Sequence, residues 1–282
     1  MDDLGELGWA SYRKATFDVW RGPLHLRKED CVAEEVPVVL VYNQQPHVVM
    51  LATPLNLEDF ALGFSLTEGI IRQASDLLNV RVVQRAKGME VRMSIPDACT
   101  VDLADKGKNL TGRTGCGLCG ATRLEQAVRQ PPPVGPGLTL DAARLRQAMD
   151  DMYQQQTLNQ ITGAVHAAGW LSADYRMDKV REDVGRHNAL DKLIGALAKS
   201  NTDFSQGWLL VTSRASYEMV QKAASVGITL LAAISAPTAL AIRLAEECGL
   251  TLIGFTRQNN HVVYTHPHRL IHHSTLTATQ HG

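Results

Sequence analysis

Two cysteines, Cys116 and Cys119, carry the most pointed chemistry in the chain. They stand in Thr114-Gly115-Cys116-Gly117-Leu118-Cys119-Gly120, with glycine beside each thiol. Glycine permits positive φ and close approach by another molecule. Arg113 and Arg123 flank the run, and a helix expected over 121–129 turns its positive end toward Cys119. These features favour thiolate, the species that attacks a persulfide or disulfide sulfur. Sulfur transfer is therefore the favoured chemistry, against three competitors. Structural zinc needs four ligands, and there is no second Cys-x-x-Cys, Cys31, Cys99 and Cys248 being dispersed; no metal site is expected. A thioredoxin-type pair normally follows the first strand of a βαβ unit, whereas this pair lies in an aperiodic stretch. Inert cysteines sit singly in apolar runs, as Cys248 does.

A second group of residues suits an anion. Ser213-Arg214-Ala215-Ser216 and Ser235-Ala236-Pro237-Thr238 each join an expected strand to an expected helix, and Gly254-Phe255-Thr256-Arg257 ends the next strand. Helix N-termini offer free N–H groups and partial positive charge to phosphate, and open α/β sheets bind ligands beyond the carboxyl ends of their strands. Ordinary helix capping uses the same Ser, Thr and Pro and accounts for either cap alone. Convergence with Arg214, Arg257 and the polar run Glu182-Asp183-Val184-Gly185-Arg186-His187-Asn188 favours a nucleotide-like ligand, because so many polar groups at element junctions are costly unless paired.

A frame must position these residues, and hydrophobic periodicity supplies it. β-rich runs at 36–42 and 47–51 around Asn43-Gln44-Gln45-Pro46 predict a hairpin. A helix is expected from 57 to near Gly69, then strands at 80–84 and 90–95. The stretch 97–120, rich in Gly, Lys, Asp and Thr, predicts a mobile loop that carries the thiols between a donor-facing and an acceptor-facing position. Pro131-Pro132-Pro133-Val134-Gly135-Pro136-Gly137 forbids regular structure and marks a domain boundary. Beyond it come a helix over 141–155 with Asp141 as N-cap, strands at 164–171 and 177–180, then helix 188–199, strand 208–212, helix 216–225, strand 229–235, helix 238–248 and strand 251–255. The expected fold is α/β: a smaller α+β domain over 1–130 bearing the Cys loop, and a three-layer domain with a mixed sheet over 138–282.

Composition narrows the class. The 282 residues are 45% hydrophobic with formal net charge −1, so no global field recruits nucleic acid or anionic lipid. Met1-Asp2-Asp3-Leu4-Gly5-Glu6 is acidic where a secretory signal would be positive and then apolar. The longest apolar run, 227–236, suits a buried strand and falls short of the about 18 residues a membrane span needs. Five cysteines, an odd number, argue against a disulfide scaffold. A reducing, cytoplasmic setting is expected, with no nucleic-acid partner and no membrane insertion.

Arg113 to Gly120, Thr162-Gly163-Ala164-Val165-His166-Ala167, the run Glu182 to Lys192, Ser213 to Lys222 and Ser235 to Phe255 resemble the formate dehydrogenase accessory sulfurtransferase (FdhD/NarQ) family, over roughly 35–270. The resemblance implies a carrier that takes persulfide sulfur from a cysteine desulfurase and passes it to the bis(molybdopterin guanine dinucleotide) molybdenum cofactor required by formate dehydrogenase. Carried over, Cys116 bears the persulfide with Cys119 assisting. Phe255, Thr256, Arg257, Gln258, Asn259 and Asn260 contact the cofactor, which is bound as substrate, while GDP-like nucleotides occupy a site that includes His187, Ser213, Arg214 and Ser235. A homodimer is expected. Ser213 stands where the family more often has glycine, and Asn260 where a second basic residue is common. The resemblance further implies a cytidine-deaminase-like second domain. Zinc deaminases need H-x-E and then P-C-x-x-C; here His187-Asn188-Ala189 and Ser213-Arg214-Ala215-Ser216 supply neither Glu nor Cys, which excludes deamination. A cofactor-binding chaperone without covalent sulfur transfer is the alternative function.

Overall fold

The computed structural model describes residues 5–6, 9–100, 129–257 and 260–273. Cys116, Cys119, the segment 101–128 with most of the loop expected over 97–120 and the expected helix, Gln258 and Asn259 lie outside the described residues; 97–100, expected as loop, are helical.

Short strands β1 (Gly5–Glu6) and β2 (Trp9–Ala10) precede a long hairpin of β3 (Tyr12–Arg21) and β4 (Leu24–Ala33), which among the described residues pair only with each other. The expected hairpin follows as β5 (Val36–Tyr42) and β6 (Gln45–Ala52). Asn43 and Gln44 both take positive φ, 44° and 69°, which matches the twist of a two-residue hairpin turn. After α1 (Leu57–Thr67), β7 (Asn79–Arg85) and β8 (Gly88–Ser94) complete a four-stranded sheet of order β6-β5-β8-β7. Alternation puts Val36, Val38, Leu40, Met89, Val91 and Met93 on the face that packs against Phe60 and Phe64 of α1.

The second half begins with β9 (Leu140–Asp141) and α2 (Ala142–Gln154), capped as expected by the Asp141 carboxylate, which accepts from the Ala143 N–H. Then come α3 (Thr157–Thr162), β10 (His166–Ser172), β11 (Met177–Asp183), α4 (Arg186–Lys199), β12 (Gly207–Val211), α5 (Tyr217–Ser225), β13 (Leu230–Ala233), α6 (Ala239–Cys248), β14 (Thr251–Arg257), β15 (Asn260–Thr265) and β16 (Leu270–Ile271). The six-stranded sheet has order β11-β10-β12-β13-β14-β15; β12, β13 and β14 are mutually parallel and the other pairings antiparallel. Helices α4, α5 and α6 cover one face through Leu193, Val220 and Leu244. Leu145, Met149 and Met152 of α2 cover the other, against Trp208, Leu210 and Ile253. This is a mixed α/β fold with helices on both faces of a mixed sheet. No described helix is long and apolar enough to cross a membrane.

The two sheets are joined by α1 lying on α4. Every residue of α4 from His187 to Ala198 is buried, because the helix has the six-stranded sheet on one side and α1 on the other. Residues 131–137 run without helix or strand, and Arg269 pins them by donating to the carbonyls of Gly135 and Pro136. The β3–β4 hairpin, α3, β15 and the β9–β16 pair had no counterpart in the expected element list. Helix α4 begins at Arg186, two residues before the expected start at 188, and β13 is shorter than the expected 229–235.

Candidate functional site

One edge of the six-stranded sheet collects the candidate residues. Because β10 runs antiparallel to β11 and β12, its first residue, His166, lies beside the carboxyl ends of β11 and β12, next to those of β13 and β14. Helices α4, α5 and α6 all start from this edge at Gly185, Ser216 and Thr238, so three positive helix ends converge there.

The loops at the edge are tied to one another. The Thr238 N–H donates to the Ala215 carbonyl at 3.0 Å, and the Phe255 N–H to the Ser235 carbonyl at 3.4 Å. A Cβ on Gly254 would come within 2.9 Å of Pro237, so glycine allows the third strand end to close on the second. Phe255 sits at φ 55°, unusual for an aromatic residue, and the Arg257 guanidinium lies 5.9 Å from its ring centroid. Ser213 is buried with its hydroxyl donating to the Arg214 carbonyl, while Arg214 and Ser235 are exposed.

His187 opens a cavity of about 280 Å3 on the α4–α5 side, lined also by Phe64, Glu68, His166, Glu218 and Lys222. Its Nε2 is 2.9 Å from a Glu218 carboxylate oxygen and 3.4 Å from the Ser216 hydroxyl. Burial holds the His166 imidazole below its ordinary pKa, helped by the charges of Arg186 and His187. Thr256, Arg257 and Asn260 line a different cavity of about 410 Å3, beside Asp141, Arg146 and His261 on the α2 side. The Thr256 hydroxyl oxygen is buried there without a hydrogen-bond partner among the described residues. The edge thus gathers the three strand-end loops, while His187 opens into one cavity and Thr256, Arg257 and Asn260 into another.

Sequence reasoning missed the ionic seam behind the first cavity. Lys192 and Asp183, both fully buried, pair at 2.7 Å. Both also bind Thr53, whose N–H donates to Asp183 and whose carbonyl accepts from Lys192, and the Val184 N–H donates to the Thr53 hydroxyl. Asn188 donates to the Leu51 carbonyl and to Asp183. Most of the Glu182–Lys192 run is therefore spent joining the two sheets. Nearby, Lys222 meets Asp191 at 2.9 Å and Glu68 at 3.1 Å, and Arg129 meets Glu68 at 3.0 Å. Two cations and two carboxylates balance. Burial pulls the Lys222 ammonium down, but Asp191 and Glu68 together hold it above the ordinary lysine value. The backbone of Arg129 is held by the Tyr217 hydroxyl, which donates to its carbonyl and accepts from its N–H. The chain therefore re-enters the described body at the wall of the first cavity. The runs Glu182–Lys192 and Ser213–Lys222 stand out in the sequence, but nothing in them pairs Lys192 with Asp183 or Lys222 with Asp191 and Glu68.

A model of the FdhD/NarQ family matches residues 33–271. A protein named sulfur carrier protein FdhD from Cupriavidus necator is 54% identical over 264 residues, 93% of this chain and 92% of its own. A protein of the same name from Xanthomonas euvesicatoria pv. vesicatoria is 52% identical over 250 residues, 89% of each. A crystal structure described as a formate dehydrogenase accessory protein from Desulfotalea psychrophila superposes with TM-score 0.71 at 22% identity, covering 92% of this chain and 99% of that one. That likeness is one of fold.

Proposed function

The chain belongs to the FdhD/NarQ family, and on that premise we propose that it is a sulfur carrier acting in the maturation of formate dehydrogenase. The observation that carries this reading is that the relatives named sulfur carriers align over about nine tenths of the chain, and the matched stretch 33–271 contains both Cys116 and Cys119.

In this reading the Cys116 thiolate attacks the outer sulfur of a persulfide on a cysteine desulfurase. A new S–S bond forms on Cys116 as the donor's S–S bond breaks, and the donor leaves as thiolate. Attack by the Cys119 thiolate on the Cys116 sulfur then closes a Cys116–Cys119 disulfide and expels hydrosulfide toward the molybdenum of the bis(molybdopterin guanine dinucleotide) substrate. A cellular dithiol resets the pair. The edge of the six-stranded sheet, read as a cytidine-deaminase-like scaffold without deaminase chemistry, would hold the cofactor or a GDP-like nucleotide. Its phosphates would face Arg214, Ser235 and the helix ends, with Phe255, Thr256, Arg257 and Asn260 on one side and His187 on the other.

Intact-mass measurement after incubation with a cysteine desulfurase and cysteine tests the reading. Sulfur loading adds about 32 Da per atom and is lost in Cys116→Ala; a chaperone without covalent transfer gains nothing, and a dithiol oxidoreductase loses about 2 Da as its disulfide forms. Unchanged mass in the wild type, or normal loading of Cys116→Ala, overturns the assignment.

A further inference from the structure

The four-stranded sheet has two edges of unlike construction. Strand β6 forms one, with Pro46 near its start and a bulge at His47, where Val48 and Pro46 oppose the consecutive Leu40 and Val41. Both features hinder pairing with a further strand. Strand β7 forms the other edge and has neither. Asn79-Val80-Arg81-Val82-Val83-Gln84-Arg85 matches β8 through seven consecutive positions without a shift, and among the described residues no strand pairs with its outer side. A regular edge of this kind presents a row of N–H and C=O groups that can template another strand. Space lies along it: a cavity of about 500 Å3 is lined by Asn56, Val80, Arg81, Val82 and Lys199.

Side-chain alternation defines what such a strand must carry. Val80 and Val82 pack toward α1 and the core, which turns Arg81, Val83 and Arg85 to the opposite face. Arg81 stands directly across from Arg92 of β8, a like-charge pair that weakens a ladder. Glu90 is shared, meeting Arg85 and Arg92 at 2.9 Å each, and Arg81 has no ion-pair partner among the described residues. Lys87 is exposed in the turn that follows β7. On this face four cations thus stand against Glu90 and Asp97, in a chain whose formal net charge is −1. Glu58 and Asp59, across the edge cavity, are already taken by Lys199 and Arg181.

We propose that the β7 edge docks an extended acidic segment of another protein, which adds to the sheet as a fifth strand. Acidic side chains two positions either side of an apolar one would lie beside Arg81 and Arg85, with the apolar one beside Val83. Backbone pairing supplies the affinity, and the two arginines select the partner and fix its register. Charge also excludes the obvious competitor, since a second β7 would set arginine against arginine. The inference stands apart from the sulfur-transfer reading and survives its failure.

The test uses the full 15N-labelled chain and a seven-residue peptide blocked at both ends. The peptide has glutamate at its second and sixth positions, valine at the fourth and threonine elsewhere, a pattern that serves parallel and antiparallel docking alike. Titration at low salt should shift the amide resonances of 79–85 and leave those of β6 in place. Arg81→Glu combined with Arg85→Glu should raise the dissociation constant at least tenfold with unchanged far-UV circular dichroism, and should create binding of the same peptide with lysine replacing glutamate. N-methylation at the odd or at the even positions keeps the charge but removes alternate donors, so one of the two methylated peptides should bind at least tenfold more weakly. Absence of shifts at 79–85, undiminished binding by the double variant, or undiminished binding of both methylated peptides overturns the proposal.

Discussion

Gly63 and Gly195 bring α1 and α4 into backbone contact. A Cβ on Gly63 would lie 1.7 Å from the Asp191 carbonyl oxygen, and one on Gly195 would lie 1.9 Å from that of Asp59. Neither neighbour is a flexible side chain, so any larger residue must push the helices apart. The same crossing aligns Asp59 with Arg181 at 2.8 Å and with Lys199 at 2.7 Å.

Gly195→Ala should therefore cost at least about 2 kcal/mol, since overpacking here cannot be relieved by a rotamer change. Gly135→Ala, whose Cβ would meet open space, serves as the control. Scanning calorimetry should show a clear fall in melting temperature for the first and little change for the second.

Lys192→Met should destabilise by about 3–5 kcal/mol, the usual cost of leaving one partner of a buried ion pair uncompensated. Asp183 would keep its bonds to the Thr53, Gly185 and Asn188 donors but lose the ammonium. Urea unfolding measures the loss, and a drop below about 1 kcal/mol would contradict the seam as described.

Arg214→Ala and Arg257→Ala should each weaken GDP binding ten- to hundredfold, equivalent to about 1.5–3 kcal/mol for a charge-assisted phosphate contact. Both guanidinium groups are exposed at the sheet edge, so neither change should lower the melting temperature. Titration calorimetry with unchanged affinity in both variants would remove the nucleotide from this edge.

Stability should fall on mild acidification, and His166 should contribute. Its folded-state pKa lies below the ordinary 6.5, so the unfolded chain takes up the proton first as pH drops. The contribution is complete above the ordinary value and is lost as pH falls through the folded one. Urea midpoints measured from pH 7.5 to 5 should decline less steeply in His166→Gln than in the wild type.

How much of this was legible in the sequence depends on the reach of each interaction. The β5–β6 hairpin, α1, α2 with its Asp141 cap and the alternating elements from α4 to β14 follow from local periodicity and capping. The β3–β4 hairpin was missed although Ala15, Phe17 and Val19 alternate ahead of Gly22-Pro23; Arg13, Lys14, Asp18 and Arg21 on one strand and Arg27, Lys28, Glu29 and Asp30 on the other dilute its apolar signal. Strand β15 was hidden because its partner turns through Phe255 in a conformation that aromatic residues rarely adopt. At the site, the strand-end loops could be placed from their turn and cap residues. The ionic seam could not, since Thr53, Glu68 and Arg129 meet Asp183, Lys192 and Lys222 only after the chain has folded across its full length.

That seam also imposes a timetable on synthesis. Thr53 and Asp183 are 130 positions apart, so at about 5–20 residues per second roughly 7–26 s pass between the appearance of one and the other. Once residue 94 is made, the first sheet and α1 are complete, with Asp59 and the Gly63 surface still waiting for α4. A nascent chain is thus most vulnerable while the middle third is being made. The emergence of 181–199 brings Arg181 and Lys199 to Asp59 and covers the bare helix, whereas Glu68 waits longer, for Lys222.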